Sequence, residues 1–399
     1  MKKGFLTLCL MLCLLLTGCS GGQEIESCLF VLAMAVDPAP DGNLTVTIKA
    51  LSGTQDAAVP SSIGSANASN QQEGGMQQAS GESHLEAPEP GYIVLSATAP
   101  SCLRALSLLS ATTPRTVNLS QLREIVISRT LAETDATLSI LKEIHAMYRA
   151  NGEAIVVVTP DNAGDFIRRQ RAILGVRLSK YLEVLFDHFS ELDTIPPDAQ
   201  LSAVIAAMES GTIDAAAVYA AGNRFDSTIA LHSGEELDRL PGHLPRTSPA
   251  ENEYMGTALF SGPRMTGVLT GEETGLLCLI MGDAKRRETF IGNAQYKTNL
   301  PTRVSRSIDP EDGALCVRIR MNLTRVAGEE SASAAEIATQ IERACVDLLL
   351  HLRASQSDAV GFGRLAIRNS LTIPEWEAQN WPAAYSRLPV RVSADVKVL

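Results

Sequence analysis

The sequence lacks the clustered residues that enzymatic chemistry needs. Its six histidines are scattered, and none pairs with another at the spacing of metal ligands. H-E-x-x-H, G-x-S-x-G, the phosphate-binding loop and the dinucleotide fingerprint are all missing. No C-x-x-C occurs, so neither a zinc ribbon nor a paired redox motif is expected. A basic stripe is missing too. The formal net charge is −11, which speaks against nucleic acid as a partner, because nothing would displace its counterions. The same charge speaks against a body that lies flat on anionic lipid. Beyond the amino-terminal leader, no apolar run is long enough for a membrane-spanning helix.

What is present begins at the amino terminus. Lys2 and Lys3 precede an apolar stretch from Gly4 to Leu16, and Leu16-Thr17-Gly18-Cys19 closes it. The stretch is far short of the ~20 residues that span hydrocarbon, and it fits the core of a cleaved signal peptide. Thr17 and Gly18 are small enough to admit a peptidase, and Cys19 supplies a thiol for a diacylglyceryl group. The expectation is a lipoprotein leader over residues 1–18, lipidation at Cys19, and a short tether in Ser20, Gly21 and Gly22.

At 399 residues and 45% hydrophobic composition the chain has room for two or three domains with true cores. Five cysteines remain after Cys19: Cys28, Cys102, Cys278, Cys316 and Cys345. Their odd number, wide spacing and mostly apolar surroundings suggest buried free thiols, with one structural disulfide as the other possibility.

Leu29 to Val36 reads as a buried strand. Leu44, Val46 and Ile48 alternate with Thr45, Thr47 and Lys49 as a second strand. The stretch 52–90 is rich in Ser, Gly, Ala, Gln and Asn and reads as a disordered insertion. Helix and strand then alternate: a helix from Pro100 to Ala111, a strand over Arg123–Ser128, a helix from Leu131 to Arg149, and a strand over Ala154–Thr159. Helices follow to Phe189. Pro196 and Pro197 suggest a boundary. The region after them holds Ala215–Tyr219 and a hairpin-like passage over Gly256–Leu269. Near the end, Val317, Ile319, Met321 and Leu323 form one face of a strand. Ala334–Arg353 is an amphipathic helix with Ile337, Ile341, Ala344, Leu348 and Leu352 inward, and Val390–Val398 alternates again. The expected class is α/β and α+β: three modules, each with a small mixed sheet flanked by helices, over 19–190, 191–292 and 293–399.

Three local matches invite chemistry and are better read as structure. Ser139 and Lys142 fit S-x-x-K, and Lys297-Thr298-Asn299 loosely follows K-T-G, but no S-D-N element accompanies them and Ser139 is mid-helix. Gly361-Phe362-Gly363 reads as a turn needing positive φ or close backbone approach rather than a phosphate loop. Trp376 and Trp381 read as packing residues of a short helical segment capped at Thr372 or Pro374. No catalytic, cofactor or metal residue is assigned.

Four segments together resemble the Ger(x)C family, the C-subunit lipoproteins of bacterial spore germinant receptors. They are the lipobox followed by Phe30-Val31-Leu32-Ala33-Met34-Ala35-Val36-Asp37; Leu122–Ser128 leading to Leu131-Ala132; Gly256–Phe260 with Gly267-Val268-Leu269 and Glu273-Thr274; and Asp358–Gly363 followed by Trp376, Trp381 and the closing strand. The resemblance implies a non-enzymatic subunit, lipid-anchored on the outer face of the inner membrane of the spore, without cofactor or metal. It further implies two multi-pass receptor subunits, of A- and B-type, as partners, and support for receptor assembly and the response to nutrient germinants. The alternative is a solute-binding lipoprotein of a transporter, which needs two similar lobes and a polar cleft. A third reading, a lipid-anchored cell-wall enzyme, rests on Ser139 and Lys142 alone.

Overall fold

The computed structural model describes residues 27–52, 91–147, 150–174, 177–224, 239–245, 251–286, 288–291, 294–328, 332–369 and 372–399. Cys19 with its leader, and the inserted stretch from 53 to 90, lie outside the described residues.

Strand β1 (Cys28–Pro38) is buried along nearly its whole length, which a near-continuous apolar run demands on both faces. It therefore sits inside a sheet. β2 (Leu44–Leu51) pairs with it antiparallel after a turn in which Asp41 and Gly42 take positive φ. β3 (Tyr92–Ala99) pairs with β2 from Leu44↔Ala99 to Leu51↔Tyr92. Helix α1 (Cys102–Ala111) is capped by the Ser101 side chain, and β4 (Thr116–Asn118) lies parallel to the start of β1.

On the other side of β1 come β5 (Glu124–Ser128), β6 (Ile155–Thr159) and β7 (Ala216–Gly222), all parallel to it. Between them run α2 (Arg129–Ala132), α3 (Ala136–Ala146), α4 (Ala163–Arg169), α5 (Leu178–Glu191) and α6 (Leu201–Ser210). The hairpin β8 (Asn252–Ser261) and β9 (Arg264–Leu269) completes the edge, giving the order β3-β2-β1-β5-β6-β7-β8-β9 with β4 beside β1. Residues of α1, α3 and α6 join one core on one face, and α4 and α5 cover the other.

The second sheet is smaller. After α7 (Gly271–Met281), β10 (Glu288–Ile291), β11 (Ala294–Ile308) and β12 (Leu315–Ala327) form an antiparallel run. α8 (Ala334–Ala354), α9 (Gly363–Ala366), α10 (Ile373–Ala378) and α11 (Trp381–Tyr385) lead to β13 (Val390–Val398), parallel to β12. The Leu399 N–H donates to the Leu323 carbonyl at 2.8 Å, so the last residue is tied into the sheet.

The mixed α/β and α+β class is the one observed, with sheets flanked by helices. The strands after residue 190 differ from the three-module outline. β7 is buried on both faces and needs neighbours on both sides, which β6 and β8 supply through Val157↔Val218 and Ala217↔Ala258. Among the described residues there are thus one nine-stranded and one four-stranded sheet. Two expected helices are interrupted. The 131–149 helix divides at Glu133–Asp135, where the Thr134 and Thr137 hydroxyls donate to the Leu131 carbonyl at 2.7 and 3.3 Å. The tryptophan segment divides at Asn380, whose φ is +46°. In α8 the inner face is Ile337, Cys345, Leu348, Leu349 and Leu352, with Ile341 and Ala344 only half-buried.

Candidate functional site

Two buried carboxylates dominate the polar interior. Glu124 opens β5 and is fully buried. Ala33 of β1 pairs with Glu124 on one side and with Lys49 of β2 on the other, so the two charged residues flank it. Gln170, just past α4, donates through Nε2 to Glu124 Oε1 and to the Tyr254 hydroxyl, both at 2.7 Å. Tyr254 in turn donates to Glu124 Oε2 at 3.1 Å, and the Lys49 ammonium donates to the Gln170 carbonyl. That ammonium also lies 5.8 Å from the centre of the Tyr92 ring. Burial pushes the Glu124 carboxyl up to about 7, against the pull of Gln170, Tyr254 and Lys49. Phe166 and Phe186 meet the Tyr254 ring edge-on at 5.5 and 5.4 Å and close the cluster off. Four segments of chain are stapled at one point.

Open α/β sheets commonly bind ligands beyond the carboxyl ends of their parallel strands. Here that end is occupied by the chain itself. Asp37, at the end of β1, accepts from the Ala163 and Gly164 N–H groups at 2.8 and 2.9 Å and so starts α4. Asp161, after β6, accepts from the Gly222 N–H at 2.8 Å and from Arg169 at 3.0 Å, and it also pairs with Arg224.

The second cluster is built on Asp358. One oxygen accepts from the Gly361 and Phe362 N–H groups, both at 2.9 Å. The other accepts from Gly363 at 2.6 Å and from the Trp381 indole at 2.9 Å. Successive backbone N–H groups make an anion cradle, and the chain's own carboxylate fills it. Gly361 has φ +79°, and a Cβ on Gly363 would sit 2.6 Å from the Thr212 carbonyl, which accounts for both glycines. Burial pushes the Asp358 carboxyl up to about 7. Asp214 binds the cluster to the first sheet's hairpin by accepting from Asp358 N–H at 2.8 Å and Gly262 N–H at 2.9 Å. Trp376 stacks on Trp381 at 5.7 Å, and Trp381 meets Tyr385 at 5.9 Å. Glu273 likewise has a structural place: it completes the capping box of α7 with Thr270 and reaches His351 of α8 at 2.7 Å.

The structure does not bring the S-x-x-K pair together as a catalytic unit. Ser139 donates to the Ala136 carbonyl at 2.8 Å, and Lys142 is paired with Glu209 at 2.6 Å. Among the described residues no group of three or more His, Cys, Asp or Glu side chains is placed to hold a metal ion. Cys28, Cys102, Cys278 and Cys345 are buried and Cys316 is partly exposed, and none of these five is in a disulfide. Gln170, Tyr254 and Asp214 escape sequence reasoning because their partners lie 46 to 144 positions away. The one signal is a glutamate at the start of a largely apolar strand and a lysine where two threonines precede it on the same face.

No helix among the described residues is long and apolar enough to cross a membrane. No curated protein matches the sequence. A solved structure described as the crystal structure of the GerBC protein is similar at 12% identity and a TM-score of 0.48, covering 92% of this chain and 96% of that one. Residues 21–221 match the spore germination protein N-terminal domain, and residues 255–399 match the spore germination B3/GerAC-like C-terminal domain. With both halves matched in order, the chain belongs to the GerAC-like family of spore germination proteins.

Proposed function

We propose that this chain is the lipid-anchored accessory subunit of a spore nutrient-germinant receptor. In this reading Cys19 carries the diacylglyceryl anchor on the outer face of the spore's inner membrane. The folded body assembles there with two multi-pass receptor subunits and supports the germination response without catalysing a reaction. The observation that carries the reading is the pair of family matches preceded by Leu16-Thr17-Gly18-Cys19. The interior agrees with it: buried carboxylates are spent on the chain's own backbone and side chains rather than held open to a substrate. Among the described residues, one nine-stranded and one four-stranded sheet are also unlike the paired lobes of a solute-binding lipoprotein. The test is Cys19→Ala in the spore-forming host. The expected result is loss of the chain from the membrane fraction and a slow or absent nutrient response; full germination with the chain soluble would overturn the reading.

A further inference from the structure

The two faces of the four-stranded sheet are unlike. On one, Val317, Ile319, Met321 and Leu323 of β12 enter the core that α8 closes through Ile337, Leu348 and Leu352. The residues between them, Arg318, Arg320 and Asn322, point the other way and are exposed. Register carries that second face onto both neighbouring strands. Arg318 lies between Ser305 of β11 and Ser393 of β13, Arg320 between Arg303 and Asp395, and Asn322 between Asn299 and Lys397. Arg303, Ser305, Ser393, Asp395 and Lys397 are exposed as well.

That face is cationic on a chain whose net charge is −11. Arg303, Arg318, Arg320 and Lys397 stand there against one carboxylate, Asp395, which pairs with Arg320 at 3.3 Å. Arg391, in the next row along β13, is held by Asp309 and Asp312 of the β11–β12 turn. Arg303, Arg318 and Lys397 have no ion-pair partner among the described residues. Folding alone gives no reason for this. Arg303 and Arg320 are directly opposite each other on neighbouring strands, and like charges so placed cost stability. The other places in these rows are filled by serine and asparagine, with no aromatic or large apolar side chain among them.

We propose that this face docks an acidic, extended segment of a partner protein, whose Asp or Glu side chains at alternate positions meet Arg303, Arg318, Arg320 and Lys397. Same-side residues recur about every 6.8 Å along a strand and along any extended chain, so alternate carboxylates fall in step with Arg318 and Arg320. Each guanidinium can take a carboxylate through two parallel N–H bonds. A bilayer or a nucleic-acid duplex fits less well. Both are broad and anionic and would also meet the acidic remainder of the body, whereas salt screens a short segment from charges beyond roughly 8 Å. Unpaired bases would find no aromatic ring to stack on. The proposal goes beyond the accessory-subunit reading and concerns the folded body alone, so it stands whether or not Cys19 carries lipid.

The test titrates the chain from residue 19 onward, carrying Cys19→Ala, into a fluorescein-labelled peptide of four Glu-Thr repeats at low salt and follows anisotropy. Saturable binding is expected, weakened at least tenfold when Arg303→Glu and Arg318→Glu are combined. Arg104→Glu with Arg177→Glu makes the same change in net charge on the larger domain and should leave the affinity within twofold. A thermal melt of the Arg303→Glu, Arg318→Glu chain separates binding from folding: its midpoint should not fall, because the substitution removes the Arg303–Arg320 repulsion. Equal weakening by the two double variants overturns the proposal, since net charge alone would then explain it. So does the absence of saturable binding to the peptide. Tighter binding to phosphatidylglycerol vesicles or to a DNA duplex than to the peptide also overturns it and assigns the face to lipid or to nucleic acid.

Discussion

Glu124 and Asp358 are both buried carboxyls pushed up to about 7, yet they are held in opposite ways. Side chains from distant segments gather around Glu124: Gln170, Tyr254 and, through the Gln170 carbonyl, Lys49. Asp358 is held by the backbone of its own loop and by one indole. The first arrangement is a staple between elements and can be exchanged for another set of side chains. The second is a local turn with a fixed backbone and has no substitute. Substitutions that break the two clusters should separate these behaviours.

The largest effect is expected from Asp358→Ala. It strips the acceptor from three buried N–H groups and the Trp381 indole at once, and a loss of about 4 kcal/mol should appear in chemical denaturation. Asp358→Asn keeps one acceptor oxygen and should lose about half as much. Next comes Glu124→Ala, which leaves the Lys49 ammonium buried without its carboxylate and should cost about 3 kcal/mol. Combining Lys49→Met with Glu124→Gln should recover most of that loss, since an exchanged buried pair is often near neutral. No second substitution should rescue Asp358→Ala. Equal rescue in both clusters would remove the distinction.

Gly363→Ala should cost about 2 kcal/mol, because its Cβ would lie 2.6 Å from the Thr212 carbonyl and 2.7 Å from the Trp381 indole nitrogen. Gly42→Ala meets nothing within 4 Å and should lose only about 1 kcal/mol, for its φ of +74°.

The most diagnostic effect is in pH dependence. Each carboxyl has a folded value above its usual one, so the folded state holds the proton longer than the unfolded chain. The resulting stability is complete below the usual values of 4.5 and 3.8 and is lost as pH rises through about 7. Unfolding free energy should therefore fall between about pH 5 and 7, by at most about 1.4 kcal/mol per unit per group. Glu124→Gln should flatten part of that slope, and a melting series across the window reads it.

The same contrast explains what was legible in the sequence. Local features were plain: the alternation in β12, the Gly361-Phe362-Gly363 turn, and the capped segment that carries Trp376. Each depends on neighbours within a few positions. The register that puts Lys49 and Glu124 on either side of Ala33 is set by the packing of three strands, and no periodicity reports it. β7 and the β8–β9 hairpin read as a separate unit because Pro196 and Pro197 precede them, while sheet membership is decided by which edge remains unpaired.

The measurement that bears most directly on the proposed role is mass spectrometry of the mature amino terminus, taken from membranes of the native spore. A chain that starts at Cys19 with a diacylglyceryl thioether is the predicted result. An intact leader, or a free thiol at Cys19, would contradict it.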